Sequence, residues 1–132
     1  MIRIHPDWLP GLRLPDLTAP LATHCGWAAR HHNTGAADQM VPMGGGSAFF
    51  APTAATAAAA GDPRRSIAER YPGGLDEYAG LVQVLAKRLV ADRYLLPADE
   101  DRVVASCMER WNVAVSGRCY PPVPADAGAA RL

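Results

Sequence analysis

The feature that most constrains this chain is the stretch from Gly61 to Trp111, the one part whose apolar residues recur with helical spacing. It opens with Ser66 and Glu69 at Ser-x-x-Glu spacing, the signature of a capping box, in which hydroxyl and carboxylate each satisfy a free backbone N–H at a helix start. A short helix is predicted from Ile67. Tyr71-Pro72-Gly73-Gly74 stops it, because proline disfavours helical geometry in the residue before it and glycine tolerates positive φ. From Leu75, the residues Tyr78, Val82, Leu85 and Leu89 follow at steps of three and four and share one face, opposite Asp76, Gln83 and Lys87. The pattern breaks at Leu96-Pro97 and resumes with Val103, Val104, Cys107, Met108 and Trp111. Asp99, Glu100 and Asp101 precede it, where negative charge suits the positive end of the helix dipole. The spacing therefore predicts helices over 75–95 and 97–112, packed as a hairpin with Trp111 buried.

Gly61-Asp62-Pro63-Arg64, Ser66 to Tyr71, and Leu95-Leu96 before an acidic cluster and Val103-Val104 resemble the carboxyl-terminal end of a bacterial family of α/β-hydrolase domain proteins. The resemblance continues upstream through Gly11 to Pro15, Ala19 to Thr23, Gly26-Trp27 and Thr34 to Gln39, so it covers roughly residues 9–112 in one register. Members of that family are much longer than this chain. The resemblance implies the carboxyl-terminal portion of an α/β-hydrolase fold without its central sheet, and a catalytic triad placed upstream of the matched region. Two places depart from the family pattern: His24-Cys25 before the Gly-Trp step, and the alanine run that replaces charged residues between Pro52 and Ala60.

Read in order, the chain divides into an irregular Pro/Gly-rich segment over 1–60, a helical hairpin region over 61–112 and a disordered tail over 113–132. The fold class expected is mainly α with an irregular amino-terminal half. Prolines at 10, 15 and 20 forbid a long helix there and leave room for one short strand over Leu17 to Thr23. Thr53 can cap a short alanine helix that Gly61 ends. Packed sequence on the order of 50 residues is marginal without disulfide, metal or partner. Dependence on another surface is expected: an upstream hydrolase body, a protein partner, or a second copy of the chain.

Chemistry-bearing patterns are few. Gly44-Gly45-Gly46-Ser47 lacks the Gly-Lys-Ser ending of a phosphate loop, and Phe49 stands where a Gly-x-Ser-x-Gly elbow needs its second glycine, so the glycines read as a flexible turn. His24-Cys25 and His31-His32 are adjacent pairs whose side chains diverge, which is poor geometry for zinc. Trp27 reads as an anchor for its loop. The serines are Ser47, Ser66, Ser106 and Ser116, none on an elbow, and the carboxylates Asp76-Glu77 and Asp99 to Asp101 sit at helix starts. No catalytic, cofactor-binding or metal residue is assigned, and no cofactor is expected.

Lys plus Arg and Asp plus Glu number 13 each, giving a net charge of zero and no basic run to follow a phosphate backbone, so nucleic acid is not an expected partner. No run approaches the roughly 20 apolar residues of a membrane span. Three cysteines with no C-x-x-C spacing read as reduced thiols in a cytoplasmic protein. Two functions lead: the carboxyl-terminal part of a hydrolase-like protein that supplies packing surface, or a small helical module that binds a partner or itself; a third, a complete small enzyme using His24, Cys25 or His31, has no orienting partner or elbow beside those residues.

Overall fold

The computed structural model describes residues 12–30, 35–36, 39–118 and 120. About half of them are helical, and a two-stranded antiparallel sheet accompanies the helices. In chain order the elements are α1 (Pro15–Thr18), β1 (Ala22–Ala29), β2 (Met40–Phe49), α2 (Ala54–Ala59), α3 (Ile67–Arg70), α4 (Gly74–Ala91), a 3-10 turn at Pro97–Asp99 and α5 (Glu100–Val115). They form two compact units. One joins the segment ending at Pro20 to Gly73–Trp111, and the other joins Leu21–Pro72 to the segment that begins at Asn112.

The first unit is built on α4. Tyr78, Val82 and Ala86, at steps of four, are fully buried, as the helical spacing requires. Leu75 was expected on the same face, but it lies in the first turn and is 45% exposed. Tyr78 stacks on Trp111 of α5 with ring centroids 4.8 Å apart, and Trp111 is buried. Asp16 of α1 accepts a hydrogen bond from Arg110 at 3.2 Å. The helix ends at Ala91, four residues short of the expected Leu95, because Arg93 takes the left-handed φ of 62° and the N–H groups of Tyr94 and Leu95 turn back to the Leu89 carbonyl.

The second unit contains the ribbon of β1 and β2. Its register pairs Ala22 with Phe49, His24 with Ser47 and Cys25 with Gly46, then shifts at a bulge and pairs Trp27 with Pro42 and Ala29 with Met40. This corrects two expectations. The short strand begins at Ala22 instead of Leu17, since Pro15 at the first position of a helix directs Pro15–Thr18 into a helical turn. The glycines read as a flexible turn lie inside β2, where Gly45 lets the backbone approach the Cys25 carbonyl so closely that a Cβ would stand 2.5 Å from its oxygen.

After the ribbon, Thr53 caps α2 by accepting the Thr56 N–H at 3.2 Å, and Gly61 follows with a φ of 64°. The capping box at α3 is complete: the Ser66 N–H donates to Glu69 Oε2 at 2.8 Å, and the Glu69 N–H donates to Ser66 Oγ at 3.4 Å. Ser66 and Ile67 are buried, and the Ile67 N–H bonds the Ala51 carbonyl at 2.8 Å, which ties α3 to the end of the ribbon. Among the described residues no helix is long and apolar enough to cross a membrane.

Candidate functional site

Two polar clusters stand out, both in the second unit. The first begins with Asp62, whose carboxylate accepts the Arg64 backbone N–H at 3.0 Å, a local turn that asparagine and aspartate favour. That turn brings the guanidinium back onto the same carboxylate, with Nε 2.9 Å from Oδ1 and the second amino nitrogen 2.7 Å from Oδ2. The remaining donors of the fork reach Thr23 Oγ1, the Ala48 carbonyl and the Phe49 carbonyl at 3.0–3.2 Å. One side chain therefore ties the loop before α3 to both strands. Tyr120 donates its hydroxyl to Asp62 Oδ2 at 3.0 Å, and Arg70 lies over the Phe50 ring, 3.9 Å from its centroid.

The hydrogen bond from Arg64 holds the Asp62 carboxyl well below the usual carboxylate range, against the opposing effect of burial. Burial, together with the bond it donates to Asp62, raises the Tyr120 phenol. A shallow cleft of about 240 Å³ lies beside this cluster, lined by alanines of α2 and by Asp62, Arg64, Arg65 and Glu69. Its charged groups are already engaged: Arg65 donates to the Glu69 carbonyl, and the Glu69 carboxylate accepts from Ser66, which lowers its pKa. The chemistry of this cluster is that of a structural lock.

The second cluster is the cross-strand pair of His24 and Ser47. The Phe50 N–H bonds the Leu21 carbonyl, so hydrogen-bonded pairs alternate from there and His24 opposite Ser47 is a non-hydrogen-bonded pair, the kind in which side chains approach most closely. Nδ1 and Oγ are 2.8 Å apart. The two residues lie 23 positions apart in the sequence, and the register brings them together. With Nδ1 unprotonated, the ring can accept the serine proton, the first requirement of nucleophilic catalysis. The other requirements are missing among the described residues: no carboxylate bonds the ring, and Ser47 lies within a strand instead of on a strand-to-helix elbow.

Other residues singled out from the sequence fall into local roles. Cys25 is an exposed thiol, and Trp27 is 52% exposed instead of anchored. Ser116 donates to the Val113 carbonyl at 2.7 Å, while Ser106 is exposed on α5. Glu77 accepts the Gly73 N–H at 2.7 Å, and Asp99 pairs with Arg102 at 3.0 Å. His31 and His32 lie outside the described residues. Among the described residues no three of His, Cys, Asp and Glu gather as metal ligands. Sequence reasoning missed the Asp62–Arg64 lock, for which the Asp-x-Arg spacing is a faint signal; the Tyr120 bond has no local signal.

No curated protein and no solved structure matches the chain significantly. The family described as an alpha/beta hydrolase domain matches residues 7–105, most of the chain. The motifs from Gly11 through Val104 fall inside that match, and with them the ribbon, the Arg64 lock and α4: this chain belongs to the alpha/beta hydrolase domain family.

Proposed function

We propose that this chain is the carboxyl-terminal part of an α/β-hydrolase-like protein and that it supplies packing surface, with catalysis residing elsewhere in the parent. The observation that carries this reading is the ribbon: Thr23 to Trp27 and Gly45 to Ala48 are all exposed, although a two-stranded sheet alone is marginal in water. A sheet of that kind calls for a covering surface. The exposed Leu14, just before α1, and Leu17 within it add apolar area that a larger body would bury. On this reading residues 61–112 act as a helical hairpin, with the Tyr78–Trp111 stack at its seam, and the protein works in the bacterial cytoplasm.

Short-chain activated esters test the catalytic half of the proposal. The expected result is no turnover beyond that of a Ser47→Ala control. Turnover abolished by Ser47→Ala or His24→Ala would overturn it and make the cross-strand pair an active site. Segment-resolved hydrogen exchange tests the packing half: residues 12–30 and 39–50 should exchange fast in the monomer and α4 slowly. Slow exchange throughout the ribbon of a monodisperse monomer would show an independent domain and overturn the proposal.

A further inference from the structure

The cross-strand pair of His24 and Ser47 is short of a catalytic triad, but it is complete for one chemical step. Nδ1 and Oγ stand 2.8 Å apart, close enough for a proton to pass between them, and both residues are exposed. Two residues further toward the bulge stand Gly26 in β1 and Gly45 in β2, so neither strand places a side chain there to block an approaching molecule. A Cβ at Gly26 would meet nothing within 4 Å. The other serines offer no such arrangement: Ser66 is buried in its capping box, Ser116 donates to the Val113 carbonyl, and among the described residues only Ser47 hydrogen-bonds a histidine.

We infer that Ser47 is a single-use acylation site for activated esters, with His24 as its base. In that step Ser47 Oγ adds to the ester carbonyl carbon while its proton passes to His24 Nδ1; the bond from that carbon to the aryl oxygen then breaks, the aryloxide leaves with the electron pair and takes up a proton, and the acyl group stays on Ser47 as an ester. The missing parts of a triad set the class of donor. Among the described residues no carboxylate bonds the ring to steady the imidazolium that forms, and Ser47 lies inside β2 instead of on an elbow, so only a donor whose leaving group departs easily reacts. The same lack stops the chemistry after one step, because the new ester would have to expel a serine alkoxide, a far poorer leaving group than an aryloxide. The site belongs to the chain by itself, where the ribbon is open, and owes nothing to the catalytic groups of a parent.

The full chain incubated with p-nitrophenyl acetate, then read by intact mass and peptide mapping, tests the inference. Cys25 is an exposed thiol beside the pair, so the measurement is repeated in Cys25→Ala, and neutral hydroxylamine strips acyl groups from the remaining cysteines. The expected result is one acetyl group on Ser47 and one equivalent of p-nitrophenolate, after which release falls to the rate of Ser47→Ala. His24→Gln keeps a hydrogen-bonding side chain but no base, and should slow the labelling of Ser47 by roughly tenfold or more. Unfolding in urea separates the two strands and should slow it likewise, which keeps the test decisive however His24→Gln folds. Acetyl groups confined to Cys25 or Lys87, or a Ser47 labelled equally fast in His24→Gln and in urea, overturn the inference and leave the hydrolase-part reading standing. Continued release that depends on Ser47 would overturn both.

Discussion

Arg64 grips Asp62 through one edge of its guanidinium, Nε at 2.9 Å and the second amino nitrogen at 2.7 Å, and turns its remaining donors to Thr23 and the carbonyls of Ala48 and Phe49. The Asp62 side chain is only 4% exposed, so its charge depends on this partner. Lysine offers a single ammonium in place of the planar fork and cannot serve all five acceptors. Arg64→Lys should therefore cost about 2 kcal/mol, toward the low side for a broken buried pair because the guanidinium keeps partial access to water. Urea denaturation of the two proteins measures it, and equal midpoints would contradict the lock.

The same pair fixes a pH dependence. Asp62 titrates lower in the folded chain than in the unfolded one, where aspartate titrates at about 4, so the folded state is the weaker proton binder. The contribution is fully present above that unfolded value and is lost as the pH falls below it toward the folded one. Asp62→Asn should lower stability at pH 7 and flatten its fall between pH 5 and pH 3, a change read from urea midpoints across that range.

Gly45 makes the ribbon sensitive to a single methyl group. A Cβ there would stand 2.5 Å from the Cys25 carbonyl oxygen, and a backbone atom cannot swing aside as a side-chain tip can. Gly45→Ala should push the strands apart at the bulge, at a cost of about 1–3 kcal/mol typical of overpacking. Gly46→Ala, with nothing within 4 Å of the added Cβ, is the control. A lower urea midpoint in the first variant alone is the expected outcome.

Legibility followed the range of the interactions. The capping box needs only Ser66 and Glu69, three residues apart, and the buried face of α4 needs only the spacing of Tyr78 and Val82, so both can be read from the sequence. The ribbon could not be read this way. Its pairing depends on contacts such as His24 with Ser47, and its glycines look like a turn unless one knows that the Cys25 carbonyl lies against Gly45. The left-handed Arg93 ended α4 early without a glycine to signal it. Of the candidate site, each residue was visible but not its neighbour: Asp62 with Tyr120, 58 positions away, is a product of the fold alone.

The core of the first unit gives the sharpest test of the helical reading. Val82 is fully buried, while Leu75, seven residues earlier and on the same face by periodicity, is 45% exposed. A carboxylate at Val82 would be placed among apolar neighbours with no partner, at a cost of about 3–5 kcal/mol, as for a buried charge left uncompensated. At Leu75 the same carboxylate stays hydrated in the first helical turn, where negative charge is welcome, so the change should lie within about 1 kcal/mol. Trp111→Ala falls between packing loss and charge burial: it removes the ring stacked on Tyr78 and should cost about 3–5 kcal/mol. Melting curves followed by the helical signal should rank the variants with Val82→Asp and Trp111→Ala far below wild type and Leu75→Asp close to it. Equal losses for Val82→Asp and Leu75→Asp would mean that α4 buries its whole amphipathic face, first turn included, and would contradict the exposure of Leu75.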